Sequence, residues 1–165
     1  MTLFLHTWNN DFKIKMSYKT GINTSYYSKY EQRTCRILEP RLTITKEIFL
    51  YKKDFSYYSK NQVERFTIPV DIEYIDDPSI AGAVVSVDTT NFFYLRNFSN
   101  IKLVDDDENT YTVSSYTNSS ITTSAPISAC DRLYIAVSCF ITEIDVTVER
   151  EDYVLATIVA EKIRE

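Results

Sequence analysis

Residues 133–148 read LYIAVSCFITEIDVTV, and this stretch decides the fold class. Apolar side chains occupy every second position over Leu133–Ile141 and again over Ile144–Val148. Because successive side chains of a β-strand point to opposite faces, this period of two predicts a strand with one buried face. Residues 66–74, FTIPVDIEY, have the same period, and Pro69 on the other face indicates an edge strand or a bulge. The chain is therefore predicted to be mainly β.

Shorter runs with the same character lie on both sides of these two segments. They predict strands at Phe12–Met16, Leu42–Tyr51, Val84–Val87, 101–104, Tyr111–Val113, Ile121–Thr123 and Tyr153–Ile163. The last of these also fits a helix face, and Lys46 interrupts the apolar face of the second. Polar stretches at Asn23–Lys29, Lys52–Gln62, 105–109 and 118–119 are predicted to be loops, connections or turns. Such closely spaced short strands are typical of a small barrel or sandwich.

The charges divide the chain into two parts. Residues 1–65 have 12 Lys and Arg against 6 Asp and Glu, and residues 66–165 have 6 against 17, so the net charges are +6 and −11. Such an asymmetry indicates an interaction segment. We therefore expect an extended basic N-terminal arm with docking strands over residues 1–65 and a small barrel- or sandwich-like β body over residues 66–165. The turn Asp76–Pro78 is the best local signal for a boundary between arm and body.

The composition is that of a globular chain of 165 residues, with 44% hydrophobic residues and a net charge of −5. The sequence has no apolar run of membrane-spanning length, and its start lacks the charged region and cleavage site of a signal peptide, so we expect no membrane insertion. The acidic balance argues against nucleic acid as a partner. Tyr26 and Tyr27 beside basic residues suit base stacking, but tyrosine is equally favoured at protein interfaces.

Candidate catalytic and metal-binding residues are few. His6 is the only histidine and no glycine-rich phosphate loop occurs, so we expect no catalytic residue, no metal and no cofactor. The acidic run at residues 105–109 lacks the spacing of a calcium-binding loop, which favours an acidic hairpin turn over adventitious calcium. Cys35, Cys130 and Cys139 match no metal-site spacing, and their odd number argues against a disulfide framework. Buried free thiols are expected, and a bridge between the last two is the alternative.

A densely charged stretch, EQRTCRILEPR, occupies residues 31–41. Arg33, Arg36 and Arg41 alternate here with two glutamates. Arginines at such close positions suit bidentate pairing with carboxylates in a partly buried place. The alternative is a surface strand with local ion pairs that contribute little. Pro40 ends any helix and favours an extended conformation for the residue before it.

This stretch resembles a motif of tailed-bacteriophage tail proteins, in which EQR and an arginine-rich run precede PR and a strand. The matching residues are Glu31, Gln32, Arg33, Pro40 and Arg41. Trp8 stands where that family has a tryptophan, and Tyr18 and Thr20 are similar to its aromatic-x-Thr step. Thr67–Val70 is similar to its P-V/L-W step, although Asp71 replaces the aromatic residue. Residues 83–126 and 131–163 are similar to its small β-module and its closing strands, so the resemblance covers most of the chain.

The resemblance implies a virion structural protein of the phage tail, at the tail tip or baseplate hub or as a tail adaptor, and not an enzyme. It implies a symmetric ring of copies of this chain, which docks other tail, fibre or connector proteins. Such a protein is made in the reducing cytoplasm of the host bacterium, which agrees with free thiols.

Two other functions remain open. One is a carbohydrate-binding module of a tail fibre, with Trp8 and exposed tyrosines as sugar platforms, and the other is a head-to-tail connector protein. A small glycosidase would need two convergent carboxylates, and the sequence identifies no such pair.

Overall fold

The computed structural model describes residues 12–17, 21–27, 30–36, 41–60 and 64–163. Its elements in chain order are β1 (Phe12–Ser17), β2 (Gly21–Tyr27), β3 (Tyr30–Arg36), β4 (Arg41–Tyr51), α1 (Lys52–Lys60), β5 (Phe66–Asp76), β6 (Ser79–Ala81), β7 (Val84–Ser86), α2 (Phe93–Asn97), β8 (Lys102–Asp105), β9 (Thr110–Tyr116), β10 (Ser120–Thr123), β11 (Arg132–Glu149) and β12 (Tyr153–Lys162). Ten strands form one antiparallel sheet, and β2 pairs with β3 in a separate two-stranded sheet. The prediction of a mainly β fold is confirmed.

The long strand β11 is the centre of the main sheet. On one edge it pairs with β5, from Arg132 to Cys139. On the other edge its first half pairs with β8 and its second half pairs with β12, so these two strands follow one another along β11. The sheet therefore has two lobes that share β11. We call them the barrel lobe, which contains β5 to β10 and α2, and the hairpin lobe, which contains β1, β4, α1 and β12.

The barrel lobe is a nearly closed circuit of strands. Hydrogen-bonded pairs run from β5 through β11, β8, β9, β10 and β7 to β6, and β6 follows β5 in the chain after a turn at Asp77 and Pro78. Closing a sheet in this way removes most of its unpaired edges. The enclosed core includes fully buried Val85, Leu103, Ile121, Leu133 and Ile135. Each such side chain contributes about 1.5–3 kcal/mol through the removal of apolar surface from water.

Helix α2 is held in the barrel lobe by a carboxylate that is distant in sequence. The N–H of Tyr94 donates to both carboxylate oxygens of Glu73, on β5, at 2.8 and 3.0 Å. The residue before the helix, Phe92, offers no side-chain cap of its own. Burial raises the pKa of Glu73, and the backbone N–H groups at the start of α2 partly oppose that shift.

The hairpin lobe has one buried and one open face. Strand β12 pairs with β11 on one edge and with β4 on the other, and β1 pairs with the far edge of β4. The inner face includes Leu42, Ile44 and Ile158, which are at most 1% exposed, and α1 contacts β4 and β12. Tyr58 of α1 packs edge-to-face on Phe66 with ring centroids 5.5 Å apart, which connects this lobe to β5. Residues 41–60 thus share a sheet and a core with residues 66–163.

Most of the predicted strands are confirmed. Residues 153–162 form a strand and not a helix, residues 102–116 contain the expected hairpin, and the pairing of β5 with β11 has an irregular register between Pro69 and Tyr74. Strand β6 and helix α2 were not predicted.

Three local predictions are wrong. The predicted loop Asn23–Lys29 is wrong over residues 23–27, which belong to β2 and pair with β3. Lys52–Gln62 is not merely a connection, because residues 52–60 form α1. Lys46 does not interrupt β4, because it lies on the inner face and is only 1% exposed. Lysine can occupy such a position by packing its aliphatic stem against apolar neighbours.

Candidate docking surface

The described residues of the EQR motif lie on two different sheets. Glu31, Gln32 and Arg33 belong to β3, whose partner is β2, whereas Arg41 begins β4 and pairs with Ser17 of β1. Trp8, Tyr18, Thr20 and Pro40 lie outside the described residues, and so does His6. The structure therefore separates the two ends of the motif between the two-stranded sheet and the main sheet.

A cluster of apolar side chains at the end of the hairpin lobe lies open to solvent. It consists of Phe49, Tyr51, Val148, Tyr153 and Leu155, and we call it the tip patch. Tyr51 is 64% exposed, and three of the others are about 40% exposed. Residues directly opposite one another on paired strands present their side chains on the same face of a sheet. The patch follows from the strand register, because Tyr51 pairs with Tyr153, and Leu155 pairs with both Phe49 and Val148.

The tip patch is already organised. The rings of Phe49 and Tyr153 meet edge-to-face, with centroids 5.6 Å apart and an interplanar angle of 75°. Phe49, Leu50, Tyr51 and Tyr153 line a shallow pocket of about 330 Å³. Rings held by each other lose little conformational freedom when a partner covers them, which favours binding.

The charges near the tip patch in sequence are negative on balance. The carboxylates are Glu47, Glu149, Glu151 and Asp152, and the cations are Lys52, Lys53 and Arg150. Lys52 pairs with Glu149 at 2.8 Å, and its hydrogen bond lowers the pKa of that carboxyl. The N–H of Lys52 also donates to the carbonyl of Asp152 at 3.1 Å, which ties the start of α1 to the β11–β12 turn. An aromatic surface with an acidic rim suits a basic, aromatic partner.

The acidic turn at residues 105–109 is a structural element. Asp105 is 1% exposed, and its carboxylate accepts hydrogen bonds from the N–H of Asp107 at 3.0 Å and the N–H of Asn109 at 2.8 Å. It also accepts from the side-chain amide of Asn109 and the hydroxyl of Tyr111, both at 2.9 Å. This carboxylate is saturated by groups of its own hairpin. In the described part of the chain, no group of three or more metal-ligating side chains could hold a metal ion.

The two described cysteines are free thiols. Burial raises the pKa of Cys139 to about 12 and also raises the pKa of Cys130, whose acidic neighbours add to the shift. Because the thiolate is the nucleophilic form, both shifts lower the reactivity of these thiols near neutral pH. The prediction of free thiols is confirmed for these two residues. The side chain of Cys35 lies outside the description.

No known protein-family profile and no curated protein sequence matches this chain. Among the described residues, no helix has the length and apolarity needed to cross a membrane. The tip patch was not predicted from the sequence. The sequence does contain a signal for the tip patch. Phe49 and Tyr51 alternate with Leu50 along β4, so they lie on the opposite face of the strand from Leu42 and Ile44.

Proposed function

We propose that this chain is a structural protein of a bacteriophage tail, which forms a symmetric ring at the tail tip, in the baseplate hub or as a tail adaptor. In that position it would dock neighbouring tail or fibre proteins. The main observation in support is the tip patch, an organised aromatic surface on an otherwise well-packed sheet. The motif formed by Glu31–Arg33 and Pro40–Arg41 supports the assignment to a tail.

The occupant that we propose for the tip patch is the β2–β3 hairpin of a neighbouring copy. This hairpin pairs only with itself among the described strands. An isolated two-stranded hairpin is marginally stable in water, so it requires a surface to pack on. Its turn is flanked by Tyr26, Tyr27 and Tyr30, and residues 21–36 carry three cations against one carboxylate. Tyrosines and a positive charge are complementary to an aromatic patch with an acidic rim.

A contact between two different surfaces of identical chains leads to a ring when it is repeated by rotation. The hairpin of each subunit would cover the tip patch of the next, and no self-complementary surface is needed. The net positive charge of residues 21–36, three cations against one carboxylate, would steer the same head-to-tail encounter toward the acidic residues beside the tip patch.

The test is the oligomeric state of the full chain, measured by sedimentation velocity over a range of concentrations. We expect an oligomer for the natural chain and a shift to monomer for the double variant Tyr51→Ser/Tyr153→Ser. The matched control is Tyr116→Ser, because Tyr116 is 40% exposed but lies on β9 of the barrel lobe. The control variant should assemble normally.

Two results would contradict the proposal. The first is a natural chain that stays monomeric at all concentrations, and the second is a double variant that assembles like the control. If the tip patch instead binds glycans on an array, and the double variant abolishes that signal, the carbohydrate-binding alternative replaces the ring. Location of the chain in a virion density map would test the assignment to the tail.

A further inference from the structure

A cavity of about 270 Å³ lies where β8 and β12 follow one another along β11. Its lining includes three cationic side chains and three hydroxyl side chains: Arg65, Lys102 and Lys162, with Thr67, Thr112 and Ser138. The described lining contains no carboxylate. The cavity adjoins the first half of β11, whereas the tip patch lies at the end of its second half. The two sites share no residue.

The strand pairing explains why the ends of β8 and β12 meet at this cavity. Lys102 is the first residue of β8 and pairs with Ala136, whereas Lys162 is the last residue of β12 and pairs with Cys139. The two lysines therefore approach the same short stretch of β11 from opposite directions. On the other edge of that stretch, Ser138 pairs with Thr67.

One of the cations is buried. Lys162 is 5% exposed, and its contacts include a hydrogen bond from its ammonium to the carbonyl of Ile163 at 3.2 Å and the face of the Phe98 ring at 5.8 Å. An anion in the cavity would add a further attractive interaction to this ammonium group.

We infer that this cavity binds a small oxyanion of the phosphate class. Lys102 and Lys162 offer ammonium donors, Arg65 offers a guanidinium fork, and the hydroxyls add neutral donors. A tetrahedral oxyanion has enough oxygens to accept from several of these groups at once, whereas a single carboxylate has only two. The volume is just below the range of about 300–1,000 Å³ that is usual for ligand pockets, so the site suits a small ion and not an oligosaccharide.

The experiment is a calorimetric titration of the full chain with inorganic phosphate. Sodium chloride keeps the ionic strength constant throughout. Acetate is titrated in parallel to represent a carboxylate ligand. We expect saturable binding of phosphate and weaker binding of acetate. The variants Lys102→Met and Arg65→Met should each bind phosphate about tenfold more weakly, because a hydrogen bond to a charged group contributes on that scale.

The matched control is Lys53→Met, which removes an exposed cation from α1 and should leave phosphate binding unchanged. Thermal unfolding without phosphate shows whether each variant is folded, and Arg65→Met at an exposed position provides the comparison if Lys102→Met is unstable. The inference is overturned if phosphate binding does not saturate, if acetate binds as tightly as phosphate, or if the control variant weakens binding as much as the cavity variants.

Discussion

The barrel lobe and the hairpin lobe differ in how their polar and aromatic side chains are arranged. In the barrel lobe, even the buried carboxylates Glu73 and Asp105 have hydrogen-bond donors from the same lobe. Both lobes have exposed aromatic rings, but those of the barrel lobe lie on three different elements, at Tyr74 of β5, Phe93 of α2 and Tyr116 of β9. In the hairpin lobe, Phe49, Tyr51 and Tyr153 share one end of the sheet, and this grouping supports the proposal that a partner covers the tip patch.

The largest effect on stability should come from the residue that joins the two lobes. Phe66 is fully buried and packs against Tyr58 of α1. We expect Phe66→Ala to lower the free energy of unfolding by about 3–5 kcal/mol, because it leaves a cavity in a packed core. The measurement is urea unfolding followed by both fluorescence and circular dichroism. Phe140→Ala, at a position that is 36% exposed, is the control and should cost less than about 1 kcal/mol.

Both probes should report one transition if the lobes share a core. Two transitions in the natural chain would show that the barrel lobe and the hairpin lobe unfold separately, as two independent units.

A smaller effect should follow from the buried carboxylate of the acidic turn. Asp105→Asn replaces one acceptor oxygen with an amide that faces the donors Asn109 and Tyr111. We expect a loss of about 1.5–3 kcal/mol, the range for hydrogen bonds to charged groups. The exposed neighbour Asp107 provides the control, because Asp107→Asn should change stability by less than about 0.5 kcal/mol. Equal effects for the two variants would show that the barrel lobe does not depend on this internal network.

The smallest predicted effect is a dependence on pH. The folded state raises the pKa of Glu73 above its ordinary value of 4.5, so the folded chain holds this proton more tightly than the unfolded chain does. Its contribution to stability is therefore present below pH 4.5 and is lost as the pH rises through the higher pKa of the folded state. Relative to Glu73→Gln, the natural chain should lose stability over that interval. A relative gain with rising pH would show that the bonds to α2 outweigh the cost of burial.

The sequence was sufficient to predict an element where the two-residue hydrophobic period matches the burial of its side chains. The alternation of residues 133–141 and 66–74 predicted β11 and β5, because every second residue from Leu133 to Ile141 and from Phe66 to Val70 is buried. The acidic turn could be predicted for the same reason, since Asp105 and Asn109 satisfy one another within a single hairpin.

The sequence was insufficient where structure depends on distant residues. Helix α2 has no capping side chain beside it and depends on Glu73, which comes 20 residues before its first residue. The prediction that Lys46 interrupts a strand was wrong, because nothing in its local sequence shows which side chains pack around its stem. The basic cavity needs the ends of β8 and β12 to meet on β11, and that juxtaposition is a property of the topology alone.

The most direct measurement is photo-crosslinking from the tip patch. A photoreactive phenylalanine analogue replaces Tyr153 in isotopically labelled chains, which are mixed with unlabelled chains, irradiated and analysed by mass spectrometry. Crosslinks between labelled and unlabelled chains should fall within residues 21–36 of the second copy, and the same analogue at Tyr116 should give no such crosslinks. If the products from position 153 lie only within one chain, or in a different segment of the second copy, the β2–β3 hairpin of a neighbour is not what covers the tip patch.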